Sequence, residues 1–351
     1  MSRTFPTLPE ISPPTHTQFN DDIRAAGKPV LMRGLVRDWH AVKAASEGDK
    51  AAFEYLRGLD RGRPQATLIG QSRSDKRFFY SDDFRRQNYD RYEQSVSAAL
   101  NDLESKADDG LARFIQSIPL PDYLPDFASQ NPMPLLGADV VPRAWIGNET
   151  IVQTHFDLSE NIACCVIGAR RVTLFPPEQL PNLYLGPLET SPGGAYVSLT
   201  NLHTPDFDAH PRFKDALGHA VQVELSPGDA LYIPCGWWHH VHAHAPLNML
   251  VNYWWKAPQS ARTLEPLPVL LHSLMAFKNM PANERKIWQN IFASFIFEEH
   301  DDPMAHLPPE QRGILGGIPE SHRVASIYEL LGVLGREVGL SPPAPPQRNT
   351  S

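Results

Sequence analysis

Short runs of apolar residues follow one another through the middle of the chain, from about Ala144 to Lys256. Glycine, proline, asparagine and aspartate stand between them, as expected of turns. The runs read AWIG, IVQTHFD, NIACCVIG, RRVTLFP, AYVSL, AVQVEL, DALYIP, HHVHAHA and LNMLVNYWW. Several short runs separated by turn residues are typical of an antiparallel sheet that folds into a sandwich or a barrel. We therefore predict a β core over residues 144–256.

The pattern is helical or mixed on both sides of this core. Before it, FNDDIRAAG predicts a helix, PVLMRG and QATLIG predict strands, KAAFEYLRG predicts a helix ended by Gly58, and residues 83–104 predict a longer helix. After it, VLLHSLMAF, ERKIWQNIFASFIF and RVASIYELLGVLGREVG have apolar residues at helical spacing. The predicted fold class is mainly β with flanking helices (α+β).

The same pattern divides the chain into four parts. They are an extended lead and helix over residues 1–27, a domain with α/β elements before its core over 28–256, a helical region over 257–340 and a disordered tail over 341–351. The tail, SPPAPPQRNTS, has too few large apolar residues to form a core. The helical region has an apolar face with Ile287, Ile291, Phe292 and Phe295, which is either core or a dimer surface.

Composition narrows the classes of partner. The 351 residues carry a formal net charge of -8, and an acidic surface repels phosphate backbones, so non-specific nucleic-acid binding is disfavoured. No window approaches about eighteen apolar residues without a charge, which argues against a membrane span. Three cysteines, two of them the adjacent Cys164 and Cys165, do not make a disulfide framework. With no apolar leader at the N-terminus, we predict a cytoplasmic protein.

The first candidate site is the stretch IVQTHFDLSEN, Ile151 to Asn161. Side chains alternate between the two faces of a strand, so His155 and Asp157 project to the same side. One imidazole and one carboxylate at this spacing can bind one metal ion together. Alone the pair says little, because a hydrogen-bonded structural pair at a strand end explains it equally well.

A third ligand is predicted in PCGWWHHVHAHAP, residues 234–246. Strand alternation places His239 on one face among apolar neighbours, and a lone histidine of this kind suits a ligand that faces a dry interior. His240 is its rival, one register step away. The opposite face carries His240, His242 and His244, which we interpret as a partly exposed polar surface rather than a second metal site.

Two histidines and one carboxylate that bind one face of a metal ion leave its other positions open to substrates. This donor set is suited to non-haem Fe(II) and oxygen chemistry. His155, Asp157 and His239 are therefore the predicted ligands. A metal-dependent isomerase that uses zinc or manganese is an alternative, which the lack of a further glutamate or histidine near His155 in the sequence disfavours.

The most specific stretches are THFDLSENIACCVIGARRVTLFPPEQLPNLYLGP, LSPGDALYIPCGWWHHV and LVNYWWK, preceded by KPVLMRGLVRDWHAV. Through them the sequence resembles the cupin-type JmjC oxygenases, in the group that includes the factor-inhibiting-HIF asparaginyl hydroxylase. The likeness covers roughly residues 28–256. It implies a double-stranded β-helix (jelly-roll or cupin) core that holds Fe(II) and takes 2-oxoglutarate as co-substrate. The implied activity is hydroxylation of a protein side chain or a small molecule.

By this resemblance the three predicted ligands fall on the metal-binding positions of the family. Asn161 and Asn252 fall on asparagines that line the co-substrate pocket, with a role in a turn as the alternative for Asn161. Arg170 falls where the family usually has a lysine that pairs with the distal carboxylate of 2-oxoglutarate. An arginine can bind a carboxylate through two parallel hydrogen bonds. The alternative for Arg170 is a surface arginine paired with an acid.

Two positions depart from the family pattern. Val152 and Phe114 stand where relatives often place hydroxyl groups that help to hold the co-substrate. By alternation Val152 lies on the opposite face from His155. Thr173 or Tyr232 is a candidate to replace the lost donors. These departures motivate a second hypothesis, a cupin-like binding protein with a vestigial site.

Three questions stay open at the level of sequence. The acidic balance favours a protein or a small molecule over nucleic acid as substrate, without identifying it. Demethylation of an N-methyl group uses the same iron chemistry as hydroxylation, so both reactions fit. Relatives dimerise through C-terminal helices, and the resemblance therefore implies a homodimer.

Overall fold

The computed structural model describes residues 5–72, 75–106, 109–256, 266–297, 302–312 and 320–340. The chain divides into two compact units, Met1–Arg262 and Thr263–Ser351. In the described parts of the chain, all strands and all candidate site residues belong to the first unit. The tail predicted over 341–351 lies outside the described residues.

Fifteen strands occur in the described part of the first unit. They are β1 (Glu10–Ile11), β2 (Val30–Met32), β3 (Gln65–Gly70), β4 (Arg77–Phe78), β5 (Tyr89–Gln94), β6 (Arg113–Pro119), β7 (Pro142–Gly147), β8 (Thr150–Phe156), β9 (Glu160–Ile167), β10 (Arg170–Phe175), β11 (Tyr196–Val197), β12 (Val221–Leu225), β13 (Ala230–Ile233), β14 (Trp238–Ala243) and β15 (Asn248–Trp255). Each of the nine runs from AWIG to LNMLVNYWW forms one of the strands β7 to β15. The prediction of a β core built from these runs is confirmed.

Helices surround this core and make up the second unit. Those in the described residues are α1 (His16–Gln18), α2 (His40–Ser46), α3 (Asp49–Leu59), α4 (Val96–Ser105), α5 (Leu120–Tyr123), α6 (Phe127–Gln130), α7 (Phe213–Gly218), α8 (Pro266–Phe277), α9 (Ala282–Phe295) and α10 (Glu320–Glu337). The helix predicted from FNDDIRAAG is present as a π-helical segment, Phe19–Arg24, which directly follows α1. Short 3₁₀ segments occur at Pro177–Asn182, Pro192–Gly194 and Pro309–Gln311.

The described strands form two sheets. Nine strands run in the order β1-β2-β13-β9-β15-β7-β6-β3-β5, and the second sheet runs β11-β8-β14-β10-β12 with β4 beside β8. Side chains from both sheets line one narrow cavity, so the sheets enclose it. This is the jelly-roll core with flanking helices that the sequence predicts.

Strand β9 shows why the core holds together. It reads ENIACCVI, and every residue from Asn161 to Ile167 is buried, as expected of a strand packed on both faces. Cys164 belongs to the large cluster that includes side chains of α2, α3 and α4. Cys165 packs with Val172 and Leu231 on the other side of the sheet. Both thiols are free and buried, in line with their interpretation as small core residues.

The helix predicted over 83–104 is wrong in its first half. Residues Tyr89–Gln94 form β5, an edge strand paired with β3, and α4 begins only at Val96. Charged residues between the tyrosines of YDRYEQ suit an exposed edge strand as well as a helix surface. Ser95 separates the two elements, since its Oγ accepts a hydrogen bond from the Ala98 N–H at 3.1 Å and caps α4.

The prediction that Gly58 ends a helix is also wrong, because α3 continues through Gly58 to Leu59. The helix stops at Asp60, whose backbone is extended with φ -68° and ψ 134°. The Asp60 carboxylate accepts hydrogen bonds from the N–H groups of Gly62 at 2.9 Å and Ser97 at 2.8 Å. These bonds hold the chain in a turn, where a helix cannot continue.

In the second unit, helices form where helical spacing predicts them. On α9, Phe292 contacts Phe277 of α8 edge to face, with ring centres 5.6 Å apart. Ile287 and Ile291 on the same helix are exposed. Among the described helices, none combines the length and apolar character needed to cross a bilayer.

Candidate active site

His155, Asp157 and His239 come together at the cavity between the sheets. One ligand atom from each lies within 4.8 Å of the others, a spacing that fits a single metal ion. His155 belongs to β8, Asp157 follows the end of that strand, and His239 in β14 is paired directly with His155. The two imidazole rings have centres 4.1 Å apart. The structure thus brings the three predicted ligands to one point.

Backbone carbonyls orient both imidazoles. His155 Nδ1 lies 2.7 Å from the Gln153 carbonyl oxygen, and His239 Nδ1 lies 3.1 Å from that of Trp237. A ring that donates through Nδ1–H keeps its lone pair on Nε2, which is free to bind a metal. Burial, with a smaller effect of neighbouring His155, lowers the pKa of His239 to about 4. The ring is therefore neutral at pH 7, the form that binds a metal.

Asp157 is held from two directions. Its Oδ2 accepts a hydrogen bond from Trp254 Nε1 at 3.1 Å and lies 3.7 Å from His239 Nε2. Its backbone carbonyl accepts a hydrogen bond from the Gly236 N–H at 2.9 Å. Gly236 has a φ of +81°, a left-handed conformation that favours glycine. The glycine of PCGWW therefore shapes the turn that brings His239 beside Asp157.

The cavity next to these residues is narrow and mostly apolar. Its volume is about 50 Å³. Its apolar walls are Phe114, Trp145, Val152, Ala163, Val172, Leu231, Ile233, Val241, Leu250 and Trp254. Walls of this kind exclude water, and charge interactions inside are stronger in consequence.

Arg170 brings a cation into this apolar space. It lies in β10, is 2% exposed and lines the cavity. Its Nη2 is 3.4 Å from the Trp145 carbonyl oxygen, while its Nε finds no hydrogen-bond partner among the described residues. Burial lowers the pKa of Arg170 to about 10. A buried guanidinium without a carboxylate partner is suited to an anion that enters from outside the chain.

Arg171, the next residue along β10, differs from Arg170 in its exposure and in its ion pair. It is exposed and pairs with Glu224 of β12 on the other face of the sheet. The alternative of a surface arginine paired with an acid therefore describes Arg171 and not Arg170. Alternation along β10 explains the difference, because neighbouring residues of a strand point to opposite faces.

Asn161 and Asn252 face the cavity from the neighbouring strands β9 and β15. Asn252 Oδ1 accepts a hydrogen bond from Trp145 Nε1 at 2.8 Å, and its Nδ2 lies 3.4 Å from Asn161 Oδ1. Asn161 is within β9, so its interpretation as a turn residue is wrong. The Asn252 amide is engaged with these two neighbours and orients Asn161.

Val152 faces the cavity together with His155, which simple alternation does not allow. His155 is paired with His239 and Val152 with Val241, so three steps along β8 match two along β14. The extra residue makes a β-bulge that turns Val152 to the side of His155. The prediction that the two lie on opposite faces is wrong for this reason.

The resemblance leads us to expect hydroxyl groups at the positions of Val152 and Phe114. The two candidates to replace them, Thr173 and Tyr232, do not do so. Thr173 Oγ1 accepts a hydrogen bond from Gln222 Nε2 at 2.8 Å, in a cleft on the other face of the six-stranded sheet. Tyr232 Oη donates to the Glu160 carboxylate at 2.7 Å. Neither side chain lines the cavity, so both candidates are wrong.

His240 points away from the cavity. Its Nδ1 lies 3.2 Å from Thr154 Oγ1, and its Nε2 lies 3.3 Å from His203 Nε2. Burial, followed by the nearby His203, lowers its pKa well below the ordinary value for histidine. His239 rather than His240 therefore meets His155 and Asp157, as the alternation of β14 predicts.

Two tryptophans that the sequence pattern does not single out are part of the site. Trp254 donates to Asp157 and Trp145 donates to Asn252, and their rings meet edge to face with centres 5.8 Å apart. Trp254 stands two residues after Asn252, so alternation along β15 places both on one face. For Trp145 the signal is only its place in β7, beside β15.

Three relatives illustrate what this chain is similar to. Jumonji C domain-containing protein 5 of Drosophila melanogaster is 25% identical over 257 residues, 71% of this chain and 60% of that protein. Lysine-specific demethylase JMJ31 of Arabidopsis thaliana is 28% identical over 194 residues, 53% of this chain and 34% of that protein. HSPB1-associated protein 1 of Homo sapiens is 34% identical over 152 residues, 42% of this chain and 30% of that protein.

The chain covers less than two thirds of the length of each of these relatives. A family model described as cupin-like domain matches residues 16–261, which is most of this chain. The matched region contains both sheets and every candidate site residue. The convergence of His155, Asp157 and His239 agrees with the metal positions that the resemblance implies. The chain therefore belongs to the cupin-like domain family, of the JmjC type.

Proposed function

We propose that this protein is an oxygenase that depends on Fe(II) and 2-oxoglutarate and hydroxylates a C–H bond of its substrate. One observation carries the proposal: two histidines and an aspartate converge beside a mostly apolar cavity, which is also lined by an arginine without an acidic partner among the described residues. Two nitrogens and one carboxylate oxygen form the donor set suited to non-haem Fe(II) oxygenases. The guanidinium of Arg170 is the cation that a dicarboxylate co-substrate needs.

The residues present fit both groups. His155 and His239 keep Nε2 available because Nδ1 is engaged by a backbone carbonyl, and Asp157 adds a negative charge. When bound, Fe(II) with 2-oxoglutarate and dioxygen supplies the power to oxidise a C–H bond, while the co-substrate loses carbon dioxide and becomes succinate.

The side chains of the site would hold the metal ion and the co-substrate, orient them and exclude water. Trp254 keeps the Asp157 carboxylate in place through its indole N–H. Arg170 balances the distal carboxylate of the co-substrate, and Asn252 orients Asn161 at the cavity wall. The apolar walls keep water out, so that the substrate rather than solvent is oxidised.

The direct test is anaerobic titration of the metal-free protein, first with Fe(II) and then with 2-oxoglutarate. We expect a visible charge-transfer band that requires both additions and disappears in Asp157→Ala. The matched control is Asp208→Ala, which removes an exposed carboxylate away from the cavity and keeps the band. If the parent protein shows no band at millimolar co-substrate, the proposal is overturned.

Demethylation of an N-methyl group is a second candidate reaction. The names of two relatives support it: Lysine-specific demethylase JMJ31, and Lysine-specific demethylase 8 of Xenopus tropicalis, which is 23% identical over 258 residues. Both reactions oxidise a C–H bond, but an oxidised N-methyl group leaves as formaldehyde. Mass spectrometry of a treated substrate separates them, because hydroxylation adds an oxygen atom and demethylation removes a methyl group.

A binding protein without turnover is the candidate from another class. Val152 and Phe114 support it, because neither offers a hydroxyl group to the co-substrate. The test uses NMR to monitor the conversion of 2-oxoglutarate to succinate in air, without any added substrate. Slow, Fe(II)-dependent formation of succinate supports an oxygenase. Binding of both groups without any succinate, with and without a screened substrate, supports the binding protein.

The class of substrate and the compartment are part of the same proposal. A protein side chain or a small molecule is favoured over nucleic acid because the net charge is -8. A reducing compartment such as the cytoplasm suits a chain whose three cysteines are all free. Fractionation of cells tests the compartment, and a mass-spectrometric screen of extracts treated with the enzyme tests the substrate.

We also propose that two copies associate through the helices of the second unit. The support is a set of exposed apolar side chains on α8 and α9, among them Leu274, Met275 (72% exposed) and Ile287 (58% exposed). Exposed apolar groups in this number mark an interaction surface more often than a free one. Sedimentation should show a dimer that Ile287→Glu with Leu274→Glu converts to a monomer. A monomeric parent protein at micromolar concentration contradicts the idea.

A further inference from the structure

A second group of histidines lies on the outer face of β14, away from the cavity. We define the outer histidine cluster as His203, His240 and His242, with Glu149 beside them. His240 and His242 are in β14, and His203 is in the connection between β11 and α7. All three histidines line an open cleft of about 980 Å³. None of them is used by the proposed oxygenase chemistry.

The spacing of the first two rings matches a shared metal ion. His203 Nε2 and His240 Nε2 face each other at 3.3 Å. Two nitrogens bound to one tetrahedral Zn²⁺ at about 2.0–2.1 Å each lie about 3.3 Å apart. The other nitrogen of His240 is 3.2 Å from Thr154 Oγ1, and such a contact orients metal-binding histidines.

His242 is the candidate for the third donor, and its ring must turn to reach a shared ion, because the three histidines do not converge as they stand. Its ring centre lies 5.3 Å from that of His203, at an angle of 74°. Both of its ring nitrogens are buried without a hydrogen bond in the described part of the chain. Glu149 Oε1 is 3.5 Å from His242 Nε2, too far for a strong hydrogen bond.

We propose that the outer histidine cluster binds a divalent transition metal ion of the Zn²⁺ type, with His203, His240 and His242 as ligands. A rotation of the His242 ring toward His203 completes the set, and Glu149 is placed to accept a hydrogen bond from the bound ring or to bind the ion. Three imidazoles suit Zn²⁺ and its neighbours in preference to Mg²⁺ or Ca²⁺, which bind oxygen donors.

The ion would fasten the connection between β11 and α7 to β14. That connection is already anchored at its start, where Gln153 Nε2 donates to the carbonyl oxygens of Ser198 (3.0 Å) and Thr200. Beyond these bonds, His203 is exposed. A metal ion bound by both His203 and His240 would link this connection to β14 across the cleft. The inner face of the same strand carries His239.

The test uses the full chain with the inner site disabled by His155→Ala and Asp157→Ala. This background, free of metal, is titrated with Zn²⁺ against a chromophoric chelator. We expect one equivalent bound with a Kd of about 1 μM or tighter, and a rise in the thermal midpoint with Zn²⁺. Adding His203→Ala should weaken binding by more than about 100-fold, beyond the usual effect of a residue that only orients a ligand.

His219→Ala is the control, because it removes an exposed histidine outside the cluster. This variant should still bind one equivalent of Zn²⁺ with the affinity of the background protein. His242→Gln is a second ligand variant, and circular dichroism without metal verifies that each variant is folded. The proposal is overturned if the background binds Zn²⁺ more weakly than about 100 μM, or if His203→Ala and His242→Gln both retain the tight equivalent. Because the inner site is disabled throughout, neither outcome depends on the oxygenase proposal.

Discussion

Replacing Arg170 by methionine should separate stability from binding. The guanidinium is 2% exposed and its Nε lacks a hydrogen-bond partner among the described residues. Burial lowers the pKa of Arg170 to about 10. The ordinary pKa of arginine is 12.5. Because one pKa unit equals about 1.4 kcal/mol, the lower pKa means that burial disfavours the charged guanidinium in the folded state by about 3 kcal/mol. Since pH 7 lies below the pKa in both the folded and the unfolded state, the full cost is present there.

We expect Arg170→Met to stabilise the metal-free protein by about 1–3 kcal/mol, because methionine has a similar length and no charge to desolvate. A unit of this size gains about 2–4 °C per kcal/mol, so its thermal midpoint should rise by several degrees. The same variant should lose the 2-oxoglutarate-dependent charge-transfer band, since no other cation lines the cavity in the described residues.

The assay is differential scanning calorimetry of the metal-free parent and variant, followed by Fe(II) and 2-oxoglutarate titration. Arg171→Met is the matched control: it removes an exposed arginine paired with Glu224, and such pairs contribute about 0–1 kcal/mol. A lower midpoint for Arg170→Met than for Arg171→Met refutes the reasoning, because the guanidinium would then stabilise the fold. A band of parental affinity in Arg170→Met refutes its role in binding.

Three further changes test other parts of the site. Trp254→Phe removes the indole N–H that holds Asp157 and should weaken Fe(II) affinity by about 10-fold in an anaerobic titration; unchanged affinity would contradict the positioning role. Val152→Thr places a hydroxyl group at the cavity wall and should tighten 2-oxoglutarate binding up to about 10-fold; weaker binding would count against that account of the departure. Burial, followed by the nearby His244, lowers the pKa of His242 to about 4 in the folded protein. The unfolded chain, in which this histidine has a pKa of about 6.5, therefore binds the proton more readily. The metal-free protein should lose stability as the pH falls from about 6.5 to 4. Urea unfolding of His242→Gln should show a smaller loss over that window, and an equal loss would exclude His242 as a cause.

The predictable part of the site rests on period-two alternation. Residues Trp238–Ala243 of PCGWWHHVHAHAP form β14, and the alternation of this strand alone separates His239 from His240. The same rule separates Arg170 from Arg171 in β10. Each choice needs only the knowledge that the stretch is a strand, and the turn residues around it supply that knowledge.

The errors arise where one residue breaks the period or where two patterns overlap. The bulge in β8 adds a residue between Val152 and His155, and IVQTH has no glycine or proline to announce it. YDRYEQ forms an edge strand although its charges also suit a helix, because pairing with β3 outweighs local preference. Both outcomes depend on a partner strand, which local sequence does not contain.

An arginine at position 170 would compensate for the lack of hydroxyl groups at the cavity wall in the proposed complex with 2-oxoglutarate. Val152 and Phe114 would offer that co-substrate no hydrogen bond, and a guanidinium has five N–H donors where an ammonium has three. Burial lowers the pKa of Arg170 only to about 10, so it stays charged at pH 7. A lysine lowered by the same amount from about 10.4 would fall near 8 and be neutral for part of the time. In a cavity this apolar, arginine is therefore better suited than lysine to supply both a charge and several hydrogen bonds to the proposed co-substrate.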